Sequence, residues 1–145
     1  MLKIIVGVDI SKASFAAAYA CDGCFRTKHV SNDETGFLVF DDWLSAFSSG
    51  DIHVCLESTG IYGDRFAKHC YAQGYQVSVL NPAQVNSFAK AQLSRNKTDK
   101  SEAKVIAQFG EAMSPRSWSP APQDMLDFGA LVSRLSDLKQ MRQQE

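Results

Sequence analysis

Short runs of apolar, β-branched and aromatic residues dominate the first third of the chain and predict strands. Residues 2–10, LKIIVGVDI, form the first run, and its composition suits a buried strand. Residues 14–30 contain two more runs, joined at Asp22-Gly23, a dipeptide that favours a tight hairpin turn. The chain is therefore predicted to begin with three consecutive antiparallel strands.

Two helices are predicted from apolar residues that recur every three or four positions. The apolar side of the first helix consists of Phe37, Phe40, Leu44 and Phe47. The apolar side of the second consists of Tyr62, Phe66, Ala67 and Cys70. Either Ser31 or Asn32 is suited to cap the first helix, and Gly74 marks the end of the second.

Strands and helices alternate through the middle of the chain. Residues 52–57, IHVCLE, and residues 75–80, YQVSVL, have the composition of a fourth and a fifth strand. Asn81-Pro82 is suited to begin a helix, because Asn is a good N-cap and Pro fits the first helical position. A later helix has its apolar side at Val105, Ile106 and Phe109. This order of elements predicts a mixed α/β sheet with helices on its faces.

The last part of the chain changes in composition. Residues 1–114 are expected to form one domain, and residues 115–122, rich in Pro and Ser, are expected to form a linker. Residues 123–145 are expected to begin a helical segment that continues in a longer protein. Its apolar residues repeat near the 3.5-residue period of a coiled coil, at Phe128, Leu131, Leu135 and Leu138. This apolar seam predicts pairing with another helix, most simply in a homodimer.

Composition restricts the class of protein and its compartment. With 145 residues and 45% hydrophobic residues, the chain can bury a core and does not resemble a disordered protein. It lacks a run of about 18 apolar residues and the features of a secretory signal, so a cytoplasmic protein without membrane association is expected. Its cysteines are expected to be thiols. Cys21 and Cys24 form a single C-x-x-C, and ordinary hairpin cysteines are favoured over a zinc site because no second pair follows.

The net charge of −1 removes the simplest reason to expect nucleic-acid binding, but the charge is distributed unevenly. Residues 84–104 contain five basic residues against two acidic ones. The basic residues are Lys90, Arg95, Lys97, Lys100 and Lys104. This stretch is either a solvated face or a patch that contacts phosphates, and the charge pattern alone leaves both open.

Four acidic residues occupy positions that suggest a metal site. Asp9 and Glu57 end the first and fourth strands, and Asp99 and Glu102 lie three residues apart where the late helix begins. If the two strands are neighbours, a helix start docked over their ends would bring all four carboxylates together. Hard oxygen ligands favour Mg²⁺ or Mn²⁺, and two such ions support phosphodiester cleavage. The alternative for Asp99 and Glu102 is a helix capping box.

The motifs around these acids resemble those of one protein family. GVDISK, LESTGIYG, VLNPAQVNSFAKA and RNKTDKSEAK, in this order, resemble the insertion sequence 110 family of bacterial transposases, which includes the Piv-type DNA invertases. Each motif is weak alone, but the ordered set is specific and extends over nearly the whole chain. The resemblance implies a RuvC-like domain of the ribonuclease H fold, for residues 1–114.

The resemblance also implies the residues of the site. The D-E-D-D acids of the family correspond to Asp9, Glu57, Asp99 and Glu102, as catalytic residues and as ligands of Mg²⁺ or Mn²⁺. Glu102 departs from the family, which has Asp at the fourth place, and its longer side chain moves the carboxylate. The residues expected to contact nucleic acid are Lys12, Ser58, Thr59, Tyr62, Arg95, Lys97 and Lys100. For Tyr62, packing in the core is an equal alternative.

The implied function is recombination of DNA by strand cleavage and exchange. DNA is then the expected partner, and the bacterial nucleoid the expected location. Some family members use an RNA guide, which makes a guide RNA a further candidate partner. The family also has a C-terminal domain that lies beyond these residues. Two rival functions remain open: a catalytically degenerate interaction module, and a fragment of an actin-like or sugar-kinase-type ATPase, for which a second phosphate loop is missing.

Overall fold

A computed structural model describes residues 3–21, 23–57, 60–96 and 102–120, and for residues 92–96 it describes the backbone only. Three strands come first, β1 (Ile4–Ile10), β2 (Ser14–Cys21) and β3 (Cys24–Ser31). Helices and strands then alternate, in the order α1 (Glu34–Trp43), β4 (Ile52–Glu57), α2 (Ile61–Ala72), β5 (Gln76–Leu80), α3 (Pro82–Asn96) and α4 (Glu102–Met113). A single 3₁₀ turn, Ser49–Asp51, precedes β4.

The strands form one mixed sheet in the order β3-β2-β1-β4-β5. The hairpins β1-β2 and β2-β3 are antiparallel, whereas β4 and β5 run parallel to β1. This confirms the predicted mixed α/β sheet and the three antiparallel strands at its start. The predicted coiled-coil-like helix in 123–145 lies outside the described residues. In the part of the chain that is described, no helix is both long and apolar enough to cross a bilayer.

Alternate residues of the central strands face two separate apolar layers. On one face, β1 and β2 bury Val6, Val8 and Phe15 together with α1 and α2. Four aromatic rings meet here, and the centroids of Phe15 and Phe66 lie 4.5 Å apart. On the other face, Cys55 of β4 packs in a smaller cluster with the apolar side of α4. That side was predicted correctly, since Val105, Ile106 and Phe109 are all buried.

Gly7 allows α4 to lie directly on β1. A Cβ atom at this position would overlap the carbonyl oxygen of Ala103 and the backbone nitrogen of Ala107. No side chain therefore separates the strand from the helix. The contact matters for the rest of the molecule because α4 begins at Glu102, close to the end of β1.

The first helix is capped by a residue different from the predicted ones. Asp33 is the N-cap of α1, and its Oδ1 accepts a hydrogen bond of 2.8 Å from the backbone nitrogen of Gly36. Ser31 instead donates to Asp33 Oδ1, and the Asn32 amide donates to the carbonyl oxygens of Ser11 and Tyr62. The choice of Ser31 or Asn32 was therefore wrong, because Asn32 makes tertiary contacts and Ser31 makes a local bond to the cap residue itself. The other predicted cap is confirmed, since Asn81 Oδ1 accepts from the nitrogen of Ala83 in α3.

Residues 114–120 follow the edge of β5. The backbone nitrogen of Trp118 donates to the carbonyl oxygen of Val77, over 2.6 Å. The buried Ser78 hydroxyl donates to the carbonyl oxygen of Arg116 and is bonded to His53 Nε2, at 2.8 and 2.7 Å. Burial, and then the charge of Lys3, lower the pKa of His53, which agrees with a neutral ring that donates from Nε2. The predicted boundaries at 114 and 122 stay predictions, and the described part of the predicted linker contacts the sheet.

Candidate functional site

The parallel pairing of β1 with β4 places two acidic residues side by side. The register matches Val8 with Leu56, and the next residues along the two strands are Asp9 and Glu57. In a parallel pair, residues at matching positions point to the same face of the sheet. The expectation that strands one and four are neighbours is confirmed.

The third acidic residue of this group comes from α4. Glu102 is the first residue of α4, and the contact at Gly7 holds this helix against β1. The carboxyl group of Glu102 comes within hydrogen-bonding reach of that of Glu57. Two carboxyl groups can share a hydrogen bond only when one of them carries a proton, because an ionised carboxylate has no donor. We call Asp9, Glu57 and Glu102 the acidic cluster.

The acidic cluster disfavours ionisation of Asp9 and Glu57. Burial raises the pKa of Glu57 to about 7, and the hydrogen bond to Glu102 and the charges of Glu102 and Asp9 add to the effect. Burial, followed by the charge of Glu102, also raises the pKa of Asp9. Like charges that are held close and partly shielded from water behave in this way, and a cation between them would reverse it.

One carboxylate oxygen of the acidic cluster, Glu57 Oε2, is buried without a polar partner among the described residues. A buried carboxylate oxygen without a partner is costly, and coordination of a cation would satisfy it. The oxygen donors thus fit a hard divalent cation. Still, no three His, Cys, Asp or Glu side chains within the described ranges are arranged so that they could hold a metal ion together.

Several predicted site residues lie outside the described residues. They are Ser58, Thr59, Lys97, Asp99 and Lys100. The capping box of Asp99 and Glu102 and the fourth place of the acid set therefore stay predictions. Arg95 belongs to α3, and its side chain lies outside the described part of the structure.

The other two residues that were predicted to contact nucleic acid, Lys12 and Tyr62, are accessible to solvent. Lys12 is exposed in the turn between β1 and β2, three residues after Asp9. Tyr62 is the second residue of α2, and 41% of it is exposed. Tyr62 was predicted on the apolar side of α2, and this was wrong, because the buried side of the helix is formed by Gly63, Phe66, Ala67 and Cys70. Its exposure leaves the ring available to a ligand.

Sequence reasoning missed Trp118 as a neighbour of the site. Trp118 and Glu57 both line a small cavity of about 170 Å³, together with Gly60 and Asp64 of the α2 end. Trp118 also packs against the core and meets the ring of Tyr71 edge-on. A Trp side chain within a Pro- and Ser-rich stretch was the available signal, because so large an apolar group is unusual in a solvated linker.

Comparison with known proteins gives results consistent with this geometry. The model of the insertion sequence 110 family of DEDD proteins, described as a transposase, matches residues 6–145. The pilin gene-inverting proteins of Moraxella bovis and Moraxella lacunata are each 28% identical over 136 residues, which is 92% of this chain. The chain spans 42% of the length of either relative.

A solved structure of T. thermophilus RuvC in complex with a Holliday junction substrate has a similar fold. The TM-score is 0.52 at 12% identity, and the match covers 80% of this chain and 99% of that chain. At this level of identity the likeness concerns the fold alone. It confirms the predicted ribonuclease H-like, RuvC-like fold.

Proposed function

Since this chain belongs to the insertion sequence 110 family of transposases, we propose that it is the metal-binding, N-terminal part of a site-specific DNA recombinase. In this proposal the acidic cluster is the centre at which DNA strands are cleaved for exchange. The observation that carries the proposal is the convergence of Asp9 and Glu57, from neighbouring strand ends, with Glu102, from the start of α4.

Asp9, Glu57 and Glu102, with Asp99, are the residues that would hold Mg²⁺ or Mn²⁺. The support from this chain is the buried, unpartnered Glu57 Oε2 and the mutual repulsion of the carboxylates. When bound, such ions stabilise negative charge on the attacking and leaving oxygens of a phosphodiester. The contribution of the protein is to orient the carboxylates and to hold them in a partly dry environment, where their charge acts strongly.

Glu102 is the position at which this chain differs from the D-E-D-D pattern. The proximity of the Glu102 carboxyl group to that of Glu57 supports the view that the longer side chain reaches the centre of the cluster. We therefore assign Glu102 the role of the fourth acid. On this assignment, Glu102→Asp keeps metal binding at the level of the parent protein.

The remaining predicted residues would hold the nucleic acid beside the acidic cluster. Lys12 and Tyr62 are exposed next to the strand ends that carry Asp9 and Glu57. The others assigned to this role are Ser58, Thr59, Arg95, Lys97 and Lys100. DNA is the proposed substrate, a guide RNA is a further proposed partner, and the proposed location is the bacterial nucleoid. We also propose a homo-oligomer that forms through residues 123–145.

Calorimetric titration of the 145-residue chain with MnCl₂ tests the metal site. The parent protein is expected to bind Mn²⁺, and Asp9→Asn is expected to bind it at least tenfold more weakly, because a ligand charge is lost. Glu111→Gln is the matched control, since it removes an exposed carboxylate from α4 and should leave binding unchanged. Absence of Mn²⁺ binding by the parent, or equal binding by Asp9→Asn, would contradict the proposal and favour a degenerate interaction module.

A further inference from the structure

One face of strands β2 and β3 carries a partly accessible surface next to the acidic cluster. Because side chains alternate, Ala16, Ala18 and Ala20 of β2 and Phe25, Thr27 and His29 of β3 point to the same side of the sheet as Asp9. Ala18 is fully buried beside α4, whereas Thr27, His29 and Ala20 are exposed and Ala16 and Phe25 are partly buried. We call the five residues other than Ala18 the β2–β3 strip.

The register joins one end of the strip to the acidic cluster. Asp9 pairs with Ala16, and Ala16 pairs with His29, so the three residues form one row across the sheet. At about 4.8 Å between neighbouring strands, the His29 backbone lies about 10 Å from that of Asp9. The only side chain between them is the methyl group of Ala16, which allows a bulky ligand to approach the sheet closely.

The other end of the strip opens into a cavity of about 460 Å³, which is lined by Ala20 and Phe25 and by Gln108 of α4. Gln108 Oε1 is buried and has no hydrogen-bond partner within the described residues. From the row of Asp9 to the row of Ala20 the distance is about 13 Å along β2, at about 3.3 Å per residue. This length corresponds to about four nucleotides of a stacked strand, at about 3.4 Å each.

The charges along the strip suit a polyanion. Strands β2 and β3 contain no Asp or Glu, whereas His29 lies on the strip itself. Lys104 of α4 borders the strip, with its Nζ 5.8 Å from the centroid of the Phe25 ring. A surface of hydroxyl, imidazole and ammonium groups with an aromatic ring offers both phosphate contacts and a stacking partner.

We propose that the β2–β3 strip holds the sugar–phosphate backbone of one DNA strand between the acidic cluster and the cavity at Gln108. Thr27 and His29 donate hydrogen bonds to phosphate oxygens, Lys104 supplies positive charge, and Phe25 stacks against a base or sugar. The inference rests on the proposed function and deepens it, because it defines the path of the DNA strand across the sheet from the acidic cluster. Apart from Lys104, the contacts that it assigns lie outside the basic stretch at 84–104.

Neighbouring residues of β3 provide a matched pair of variants. Thr27→Glu and Lys28→Gln each change the net charge by −1, but Thr27 is on the strip and Lys28 points to the opposite face. We would measure the affinity of the 145-residue chain for a fluorescein-labelled 20-nucleotide DNA, single-stranded and duplex, by anisotropy with EDTA. Thr27→Glu is expected to weaken binding about tenfold, and Lys28→Gln less than about threefold, because the new carboxylate would lie directly beside a phosphate.

His29→Glu gives an independent variant at another exposed position of the strip and is expected to weaken binding to a similar extent. Thermal melting of each variant identifies any loss of folding, so that affinities are compared only between folded proteins. Equal effects of Thr27→Glu, His29→Glu and Lys28→Gln would overturn the strip as the binding path while leaving DNA binding, and thus the proposed function, intact. Absence of binding to both DNA probes, in EDTA and also with Ca²⁺ in its place, would overturn both. Preferential binding of an RNA of the same sequence would overturn DNA as the occupant.

Discussion

Glu57→Gln is the substitution whose effect on stability follows most directly from the site. The pKa of Glu57 rises from the ordinary 4.5 to about 7 in the folded protein. A carboxyl group with a raised folded pKa stabilises the fold below its unfolded pKa, and this contribution is lost as the pH rises through the folded pKa. Without metal, the parent protein should therefore lose stability between pH 4.5 and pH 7 relative to Glu57→Gln, whose amide does not ionise.

The magnitude follows from the two pKa values. At about 1.4 kcal/mol for each tenfold change in proton affinity, the relative loss between pH 5.5 and pH 8.5 is at most about 2 kcal/mol. Glu57 is only partly buried, and solvent screening reduces the expected value to about 1 kcal/mol. The stability of Glu57→Gln relative to the parent should thus increase by about 1 kcal/mol over this range.

Urea unfolding with EDTA, followed by fluorescence of Trp43 and Trp118, measures this difference. Unchanged m-values are required, because a changed slope would indicate a different unfolding transition. Glu111→Gln, with its exposed carboxylate on the same helix as Glu102, should differ from the parent by less than about 0.5 kcal/mol at both pH values. A difference for Glu57→Gln that stays constant or shrinks toward pH 8.5 would refute the electrostatic account of the acidic cluster.

The sign of the stability difference between Glu57→Gln and the parent protein should reverse when Mn²⁺ is present. A ligand that binds only the folded state adds about 2.7 kcal/mol of stability at a hundredfold excess over its dissociation constant. The parent protein should gain this stabilisation at pH 7.5, and Glu57→Gln should gain little of it. Equal stabilisation of both proteins by Mn²⁺ would place the ion away from Glu57.

Three further outcomes are expected elsewhere in the molecule. Gly7→Ala should destabilise the protein by about 3 kcal/mol, because the new methyl group overlaps the backbone of α4, whereas Gly50→Ala, with open space around it, should be tolerated in the same thermal melts. Ser78→Ala should cost about 1–3 kcal/mol in urea unfolding, since it leaves the buried His53 ring nitrogen and the carbonyl oxygen of Arg116 without this partner, and the exposed Ser87→Ala should cost much less. Deletion of residues 123–145 should convert a dimer into a monomer in light scattering, and a parent protein that is monomeric at high concentration would exclude this role.

Much of the fold was readable from local patterns. The two strand-like runs in residues 14–30, joined at Asp22-Gly23, predicted a hairpin because both signals lie within a short window, and the structure has β2 and β3 there. Asn81-Pro82 predicted the start of α3 for an equally local reason, since the cap uses only its own first turn. Asp9 was also recognisable, because an unpaired carboxylate after a run of apolar residues is costly as a purely structural feature. Glu57 was assigned through the resemblance to the family.

Contacts between distant segments were decided only by the tertiary structure. Three consecutive residues with cap-forming side chains precede α1, and Asp33 became the cap because Asn32 bonds to Ser11 and Tyr62 instead. In the same way, Trp118 reaches the edge of β5 from a stretch whose composition predicted a linker. Local propensity could not distinguish these outcomes, since the competing partners lie more than 20 residues away along the chain in each case.

For the site, the sequence alone determined which residue types were available, and packing determined which of them interact. Nothing local to Glu57 or Glu102 indicates that their carboxyl groups come within hydrogen-bonding reach of each other. That contact depends on the parallel pairing of β1 with β4 and on the absence of a side chain at Gly7, which together set α4 over the strand ends. The raised pKa of Glu57 is therefore a property of the fold, because burial and neighbouring charge arise only when these three segments meet.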